Sequence, residues 1–359
     1  MAFLEFKNVD LVGIAAGVPS FVANNLRPLP DDDVSSDYSP EDFVKNTGVL
    51  ERRITYTQTT SDLCYHAAER LIADLGWKKE EIDALIFVSQ TRDYATPATS
   101  GLLQDRLGLS TNTYCIDLTL GCSGWVYGLN TVTSLLSTGC MKKALLMAGD
   151  SKAIRPLKLS PLFGHAGTVT ALEYKPGAKG FQFHCGTDGS GYDAIIIPDG
   201  GARNLVTPRS FQDEECEGGA KTRMQSRMKG MDVFSFGITT APKSVKKIGE
   251  HFGFDYQTCD YLVLHQANMA MNSMIAKKLK LPAEKVPSCM YHFGNTSSAS
   301  IPLTIVTELK DKATIGKKNF LCCGFGVGLS WATVSFTTEN LLISDLVEVD
   351  EEGNCPNNK

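Results

Sequence analysis

The sequence lacks three features that would assign it to a membrane, a secretory route or a nucleic acid. No uncharged apolar run in its 359 residues reaches the length of about 20 residues that a membrane-spanning helix needs. The N-terminal stretch has no basic segment followed by an apolar one, which a secretory signal would have. The formal net charge of −5 leaves no basic excess to neutralise phosphates. We therefore expect neither membrane insertion nor general nucleic-acid binding.

The chain also lacks the paired cysteine spacing of a metal site. Its 11 cysteines are scattered, which in a long chain without a secretory signal is typical of reduced thiols rather than of a disulfide framework. The 43% hydrophobic and 21% charged content is that of an ordinary soluble globular protein. These features predict a cytoplasmic protein without a metal site.

Sequence cues recur in the same order in two parts of the chain, which indicates a duplicated fold. A helix that ends at Gly76 is followed after seven residues by an apolar strand that begins near Asp83. A second helix, which we expect to begin near Thr240, ends at Gly253 and is followed after the same seven residues by a strand from Asp260. Two later pairs of helix ends and strands repeat in step. Helices that alternate with strands in this way predict an α/β fold.

The repeat divides the chain into two expected halves. The first half covers residues 1–175 and the second covers 176–345. Within the second, residues 200–230 mix glycine with charged residues and predict an irregular segment. The last residues, 346–359, are acidic and polar and predict a frayed tail.

Cys122 occupies the centre of the stretch around which the chain is organised. The residues before it are apolar or β-branched and predict a buried strand, and those after it place apolar side chains at helical spacing. Gly121 and Gly124 allow a sharp bend and the close approach of a ligand. A thiol at a helix N-terminus faces unpaired N–H groups and the positive end of the helix dipole, which favour the nucleophilic thiolate. A buried structural thiol is the alternative from this stretch alone.

Two distant stretches carry further polar residues where strands are expected to end. His265 lies at the carboxyl end of the predicted strand from Asp260, where ligands collect in open α/β sheets. Asn295 lies at a predicted strand end before small and hydroxyl residues that open a helix. An interior hydrogen-bonded imidazole and a helix N-cap are the structural alternatives for these two residues. In the repeat, Asn295 falls nearly where Cys122 falls, so a two-fold arrangement would bring the two residues together.

The three stretches resemble a known family. Cys122 in Gly-Cys-Ser-Gly, His265 in His-Gln-Ala-Asn and Asn295 in Gly-Asn-Thr-Ser are similar to the catalytic triad of β-ketoacyl-acyl-carrier-protein synthase III, a family of the thiolase superfamily. The resemblance runs from about Gly48 to the glycine-rich loop that ends at Trp331. It implies the thiolase-like, duplicated, five-layer α-β-α-β-α fold.

The resemblance also implies an activity, which is a decarboxylative Claisen condensation. Cys122 would take the acyl group from an acyl-CoA or an acyl carrier protein (ACP). Malonyl-ACP would then lose CO2 and attack the acyl group, giving 3-oxoacyl-ACP. His265 and Asn295 would donate hydrogen bonds to the thioester oxygen. The expected partners are ACP, acyl-CoA and a second copy of the chain in a homodimer. CoA and phosphopantetheine thioesters would serve as substrates, and no other cofactor is expected.

Further site residues follow from the resemblance. The backbone N–H groups of Cys122 and Val327 would form an oxyanion hole, and Thr96, Gly326, Gly328 and Asn268 would contact substrate. The chain departs from the family at several positions. Val327 stands where the family often has a third glycine, and Ala270 stands where an arginine is associated with docking of ACP. Thr96 stands where a phenylalanine is common, and a smaller residue there would suit a primer larger than acetyl.

Three alternatives share this fold. A thiolase would use a second cysteine in a Cys-x-Gly-x-Gly loop, which Cys322 fits, but would have a histidine where this chain has Asn295. An acyltransferase would pass the acyl group to an alcohol, amine or sugar of a specialised metabolite, and such enzymes often lose the asparagine. A non-catalytic subunit would tend to lose the nucleophile. The primer, and the choice between CoA and ACP as its carrier, stay open.

Overall fold

In the computed structural model, which describes residues 2–34, 38–151, 158–217 and 219–356, two β-sheets form the centre of the molecule. The strands are β1 (Ala2–Phe6), β2 (Val9–Pro19), β3 (Val22–Asn24), β4 (Glu51–Arg53), β5 (Ala84–Val88), β6 (Tyr114–Leu118), β7 (Lys143–Asp150), β8 (Ala166–Tyr174), β9 (Phe181–Thr187), β10 (Ile195–Ile196), β11 (Glu214–Cys216), β12 (Gly219–Lys221), β13 (Arg227–Met228), β14 (Tyr261–Leu264), β15 (Lys317–Gly326), β16 (Ser330–Glu339), β17 (Leu342–Ile343) and β18 (Val347–Val349). The helices are α1 (Pro40–Thr47), α2 (Thr60–Leu75), α3 (Thr99–Arg106), α4 (Gly124–Ser137), α5 (Gly230–Phe252), α6 (Met269–Leu279), α7 (Met290–Phe293), α8 (Ser300–Glu308) and α9 (Lys310–Ala313).

The first sheet has the strand order β17-β2-β8-β7-β5-β6, with β18 also paired to β2. The strands β6, β5 and β7 run parallel, and β8 is antiparallel to both β7 and β2. All five residues of β5 are buried, as expected for a parallel strand covered on both faces. The continuous apolar run read from the sequence at this position is therefore confirmed as a strand.

The second sheet has the order β1-β9-β16-β15-β14. Its parallel pair, β14 with β15, corresponds to the parallel pair β5 with β7 in the first sheet. These are the strands that the sequence repeat matched, so the repeat is present in the topology. Strand β6 has no counterpart strand in the described part of the second sheet.

The core shows how the layers stack. One apolar cluster joins both sheets through α4 and α8, which lie between them. A second cluster lies under α2 and α3 on the outside of the first sheet, and a third lies under α5 and α6 on the outside of the second. Neighbours along one strand belong to different clusters, for example Ile86 and Phe87, because successive strand residues face opposite sides. The five-layer α-β-α-β-α fold is confirmed.

The two sheets exchange strands from the chain ends. The first strand, β1, pairs with β9 in the second sheet, whereas β17 and β18 pair with β2 in the first. Val347 and Val349 are 1% exposed. The expected frayed tail is therefore wrong for residues 347–349, where burial of two valines holds the chain in a strand.

We propose that each sheet forms the centre of one half, with the division near residue 175. The chain leaves the first sheet at the end of β8 and enters the second at β9. Hydrogen exchange tests this division: two halves would open as separate units, and a single cooperative opening would contradict it.

Two local expectations differ from the structure. The helix expected from Thr240 begins ten residues earlier, at Gly230, and continues through Pro242. The segment 200–230, expected to be irregular, contains the short antiparallel pair β11 and β12, and β13, which pairs with β10. The early start of α5 matters for function, because its first turns line the cavity described below.

Candidate active site

Cys122 lies in the turn between the end of β6 and the start of α4, as the sequence predicts. The Gly124 N–H donates to the Gly121 carbonyl at 2.7 Å and closes this turn. A Cβ at position 121 would lie 2.3 Å from Gln90 Oε1 and 2.8 Å from Val327 Cγ1. The turn is therefore packed between Gln90 and the glycine-rich loop, and the Cys122 thiol is half-buried.

The glycine-rich loop at the end of β15 approaches the thiol closely. A Cβ at Gly326 would lie 2.6 Å from Cys122 Cβ and 2.7 Å from its Sγ. Gly326 also has a φ of +153°, which side chains rarely tolerate. Both observations explain a glycine here, and the close approach of Gly326 brings the backbone of Val327, the next residue, near Cys122.

His265 follows β14 and is 1% exposed. Burial lowers its pKa from 6.5 to about 4, and a hydrogen bond with the Ser297 backbone partly opposes this effect. The ring also meets that of Phe325 edge to face, with centroids 5.7 Å apart. His265 is therefore a neutral imidazole at physiological pH.

The hydrogen bonds of Ser300 indicate which ring nitrogen carries the proton. Ser300 Oγ lies 2.8 Å from His265 Nδ1 and accepts from the Gln266 N–H at 3.3 Å. The Gln266 N–H occupies one of the two lone pairs of the hydroxyl and leaves its proton free for Nδ1. We infer that Ser300 donates this proton to Nδ1, which places the ring proton on Nε2. His265 then offers an Nε2–H donor.

Asn295 reaches the site from a different element than expected. The residue follows the short helix α7 and the Gly294 cap, and its only β-pairing within the described residues is an isolated bridge to Phe163. The expected strand end is therefore wrong. The Asn295 Oδ1 accepts from the Ser297 N–H at 2.9 Å, and its Nδ2 donates to the Ala267 carbonyl at 3.4 Å. The amide is thus fixed with its oxygen occupied and its NH2 group only weakly engaged.

Cys122, His265 and Asn295 all line one cavity of about 230 Å³. Its remaining wall combines apolar side chains with backbone from both halves of the chain, including Phe163, Ile195, Val233, Phe234, Met271, Phe325, Gly326 and Val327. The structure therefore brings together the three residues that are 143 and 30 positions apart in sequence.

The other expected substrate-contacting residues divide into two groups. Gly326 and Asn268 line the cavity, and Asn268 also caps α6 by accepting from the Met271 N–H at 2.8 Å. Thr96 is exposed, and neither Thr96 nor Gly328 is among the described residues that line this cavity. A single chain therefore does not bring Thr96 to the thiol.

Sequence reasoning missed Gln90, Phe163 and Ser300. Gln90 lies just after β5, at the same carboxyl edge of the first sheet as Cys122 after β6, so the rule that located His265 would also have found it. Gln90 and Phe163 also line a second cavity of about 630 Å³, which shares this wall with the first. Ser300 was noted only as one of several small hydroxyl residues.

The part of the chain that the structure describes lacks two features of other classes of site. No helix there is long and apolar enough to cross a membrane. No group of three or more histidine, cysteine or acidic side chains there is arranged to hold a metal ion.

Comparison with known proteins identifies the family. Residues 116–189 match the model described as 3-oxoacyl-[acyl-carrier-protein (ACP)] synthase III, and residues 250–338 match the model of its C-terminal part. The β-ketoacyl-[acyl-carrier-protein] synthase III of Clostridium acetobutylicum is 33% identical over 335 residues, which cover 91% of this chain and 98% of that protein. The corresponding synthase of Geobacillus kaustophilus is 30% identical and covers 90% and 97%.

Solved structures agree with these relatives. The 3-oxoacyl-(acyl-carrier protein) synthase of Burkholderia xenovorans LB400 superposes with a TM-score of 0.88 at 39% identity, over 97% of this chain and 99% of that one. The synthase III of Thermus thermophilus superposes with a TM-score of 0.78 at 29% identity, over 92% and 99%. The chain therefore belongs to the β-ketoacyl-acyl-carrier-protein synthase III family of condensing acyltransferases and has the thiolase fold.

Proposed function

We propose that this enzyme condenses an acyl thioester with malonyl-ACP through an acyl-Cys122 intermediate, releasing 3-oxoacyl-ACP, CO2 and a free thiol. The observation that carries the proposal is the convergence of Cys122, His265 and Asn295 on one cavity. That cavity combines a nucleophile with two neutral hydrogen-bond donors. A reaction that generates its own carbanion needs this set of groups.

In the first half-reaction, the Cys122 thiolate attacks the acyl carbonyl of the donor thioester. The carbonyl oxygen takes the negative charge, and the backbone N–H groups of Cys122 and Val327 stabilise it. The bond from carbon to the departing sulfur then breaks, the acyl group stays on Cys122, and the leaving thiolate takes up a proton. The close approach of Gly326 to Sγ supports this role for the Val327 N–H.

In the second half-reaction, malonyl-ACP loses CO2 and its electron pair moves into an enolate at the thioester. His265 Nε2–H and Asn295 Nδ2–H would donate to the enolate oxygen. The enolate carbon attacks the acyl carbonyl on Cys122, and the thiolate leaves. Because decarboxylation supplies the carbanion, no base has to remove a proton, and a histidine whose pKa is about 4 suits the task.

The alternatives have less support. A thiolase would need Cys322 as a second functional thiol, but this side chain is 0% exposed inside β15, and burial raises its pKa well above the usual value. Asn295 also occupies the position where a thiolase would have a histidine. Acyl transfer to a specialised-metabolite or sugar acceptor keeps Cys122 but gives Asn295 no task, and the relatives from Clostridium acetobutylicum and Geobacillus kaustophilus are named β-ketoacyl-[acyl-carrier-protein] synthase III.

ACP is the proposed partner in the second half-reaction. The cavity beside Cys122 is small, at about 230 Å³, which suits a slender phosphopantetheine arm better than a bulky acceptor. Its wall is mostly apolar, which would exclude water from the acyl-Cys122 thioester. The reacting groups are supplied by the chain and by the two thioesters, so the proposal includes no further cofactor.

We propose a homodimer through the edge strand β6. This strand pairs only with β5 among the described residues, Tyr114 is 43% exposed, and the rest of the strand is half-buried. An unpaired and partly apolar edge favours pairing with another strand. The exposed Thr96 loop would then be free to reach the partner's cavity. Sedimentation tests this: a monomer at micromolar concentration would contradict it.

We also place the enzyme in the cytoplasm. No disulfide joins cysteines among the described residues, which fits a reducing compartment. Fractionation of cells that express the tagged full chain tests this, and recovery outside the cytoplasmic fraction would contradict it.

The activity itself is tested by incubating the full chain with malonyl-ACP and acyl-CoAs of increasing length, followed by mass spectrometry of the ACP. The proposal predicts 3-oxoacyl-ACP and an equimolar amount of CO2. The best primer is read from the length that gives the fastest product. Acyl-CoA consumption without any 3-oxoacyl-ACP would favour transfer to a different acceptor.

A further inference from the structure

Two buried serines connect the turn of the nucleophile to the glycine-rich loop. Ser123 directly follows Cys122 and is 1% exposed, whereas Ser330 begins β16 and is 3% exposed. Their hydroxyl oxygens lie 2.7 Å apart, although the residues are 207 positions apart in the sequence. The contact therefore joins the two halves of the chain beside the reactive thiol.

The direction of these hydrogen bonds follows from the proton count. Ser330 Oγ donates to the Val327 carbonyl at 2.8 Å. A hydroxyl has one proton to donate, so Ser330 accepts at its contact with Ser123, and Ser123 donates. The result is a directed chain from Ser123 through Ser330 to the Val327 carbonyl.

These two hydrogen bonds hold Val327 from its carbonyl side. From its amide side, Val327 is held by Gly326, whose backbone abuts Cys122 so closely that a Cβ would lie 2.7 Å from Sγ. The Val327 N–H lies between these two attachments. Its position relative to Cys122 is therefore determined by the contact of Gly326 on one side and by the two serines on the other.

We propose that Ser330, supported by Ser123, is a positioning residue that aims the Val327 N–H at the oxyanion of the acylation step. This inference rests on the proposed function, in which that N–H and the Cys122 N–H stabilise the tetrahedral intermediate. Neither serine is among the described residues that line the cavity of Cys122. Their effect reaches the reaction only through the backbone of Val327.

The inference makes a graded prediction for four variants. Ser330→Ala removes both hydrogen bonds. We expect it to slow acylation of Cys122 at saturating acyl-CoA about tenfold, because a whole oxyanion donor contributes a rate factor of ~10²–10³ and the variant loses only part of it. Ser123→Ala leaves the bond from Ser330 to Val327 in place and has a smaller effect. The double variant acylates at the rate of Ser330→Ala, because that single substitution already removes both hydrogen bonds. Ser330→Thr retains the hydroxyl and recovers most of the rate.

A second readout separates positioning from a general structural effect. Alkylation of Cys122 by iodoacetamide needs the thiolate but forms no oxyanion, so its rate stays at the wild-type value in all these variants. The KM for acyl-CoA also stays unchanged. Ser344→Ala is the matched control, because Ser344 is 3% exposed like Ser330 and its Oγ has no hydrogen-bond partner in the described part of the chain.

The experiment distinguishes this inference from the proposed function. If the wild-type enzyme forms no acyl-Cys122, the proposed function fails before any variant is compared. If the wild type acylates and Ser330→Ala acylates equally fast, the positioning role is overturned. If acylation and alkylation fall together in Ser330→Ala, the serine acts on the thiol or on the fold, which also overturns the role. Loss of acylation with intact alkylation and recovery in Ser330→Thr supports it.

Discussion

Replacing Gly326 by alanine tests the close approach between the glycine-rich loop and the nucleophile. The new methyl group would lie 2.6 Å from Cys122 Cβ and 2.7 Å from Sγ, whereas carbon atoms in contact are normally about 3.5–4.0 Å apart. The two segments must therefore separate by about 1 Å, and a misplacement of this size costs about 10²-fold in rate. The φ of +153° adds strain of order 1–3 kcal/mol.

We expect Gly326→Ala to fold and to acylate Cys122 about 10²-fold more slowly than the wild type. The reason is that a displacement of about 1 Å moves the thiol away from the Val327 N–H donor. The assay is rapid quenching after mixing with saturating acyl-CoA, followed by intact mass measurement. Gly177→Ala is the control, because Gly177 has a φ of +84° but no atom of the described residues beyond its chain neighbours lies within 4 Å of its Cβ position. This control should lose stability and keep the acylation rate. Acylation of Gly326→Ala within about twofold of the wild type would refute the reasoning.

Three further predictions follow from individual contacts. Because His265 has a pKa of about 4 rather than 6.5, the unfolded chain binds a proton that the folded chain excludes, so the free energy of unfolding decreases as the pH falls from 6.5 to 4, and it decreases less in His265→Gln. Asn295→Ala should keep the rate of Cys122 acylation and lower the condensation rate about 10²–10³-fold, because one oxyanion donor is removed. Asp32→Asn should lower the free energy of unfolding by about 3–5 kcal/mol, because it leaves the Arg52 guanidinium buried and unpaired.

Each of these predictions has a contradicting outcome. Equal pH dependence of urea unfolding in wild type and His265→Gln would show that the imidazole is not held neutral by burial. Parallel loss of acylation and condensation in Asn295→Ala would show that the amide also serves the first half-reaction. For the ion pair, the control is Lys175→Ala, which breaks an exposed pair with Asp10 at 2.8 Å and should cost about 0–1 kcal/mol. A cost for Asp32→Asn no larger than this control would contradict the prediction.

Part of the site could be predicted from sequence because its signals are local. Cys122 lies between an apolar strand and an amphipathic helix, and His265 follows a short apolar run, so both positions are defined by neighbours a few residues away. The boundaries of α2 also depend on local signals. Thr59 and Asp62 form a capping box at one end, and Gly76 adopts a φ of +64° at the other.

The elements that could not be predicted depend on long-range packing. A short apolar run does not distinguish strand from helix, and α7 is helical where a strand was expected before Asn295. The helix α5 continues through Pro242, at which a sequence pattern normally begins or ends a helix. The strand exchange by β1 and β18 leaves no local signal either, because their partners are more than 150 residues away.

The hydrogen bonds of the site are even harder to predict from the sequence. The hydrogen bond between Ser123 and Ser330 joins positions 207 residues apart. The tautomer of His265 depends on Ser300, 35 residues later. Motif matching locates the reactive groups. Their protonation and alignment follow only from the packed structure.

The measurement that tests the account most directly is the intact mass of the enzyme after incubation with acyl-CoA and again after addition of malonyl-ACP. The account predicts a single acyl adduct that maps to Cys122, is absent in Cys122→Ala, and disappears with release of one CO2 per 3-oxoacyl-ACP formed. An adduct on another residue, or an acyl-Cys122 that malonyl-ACP does not discharge, would contradict the condensing mechanism.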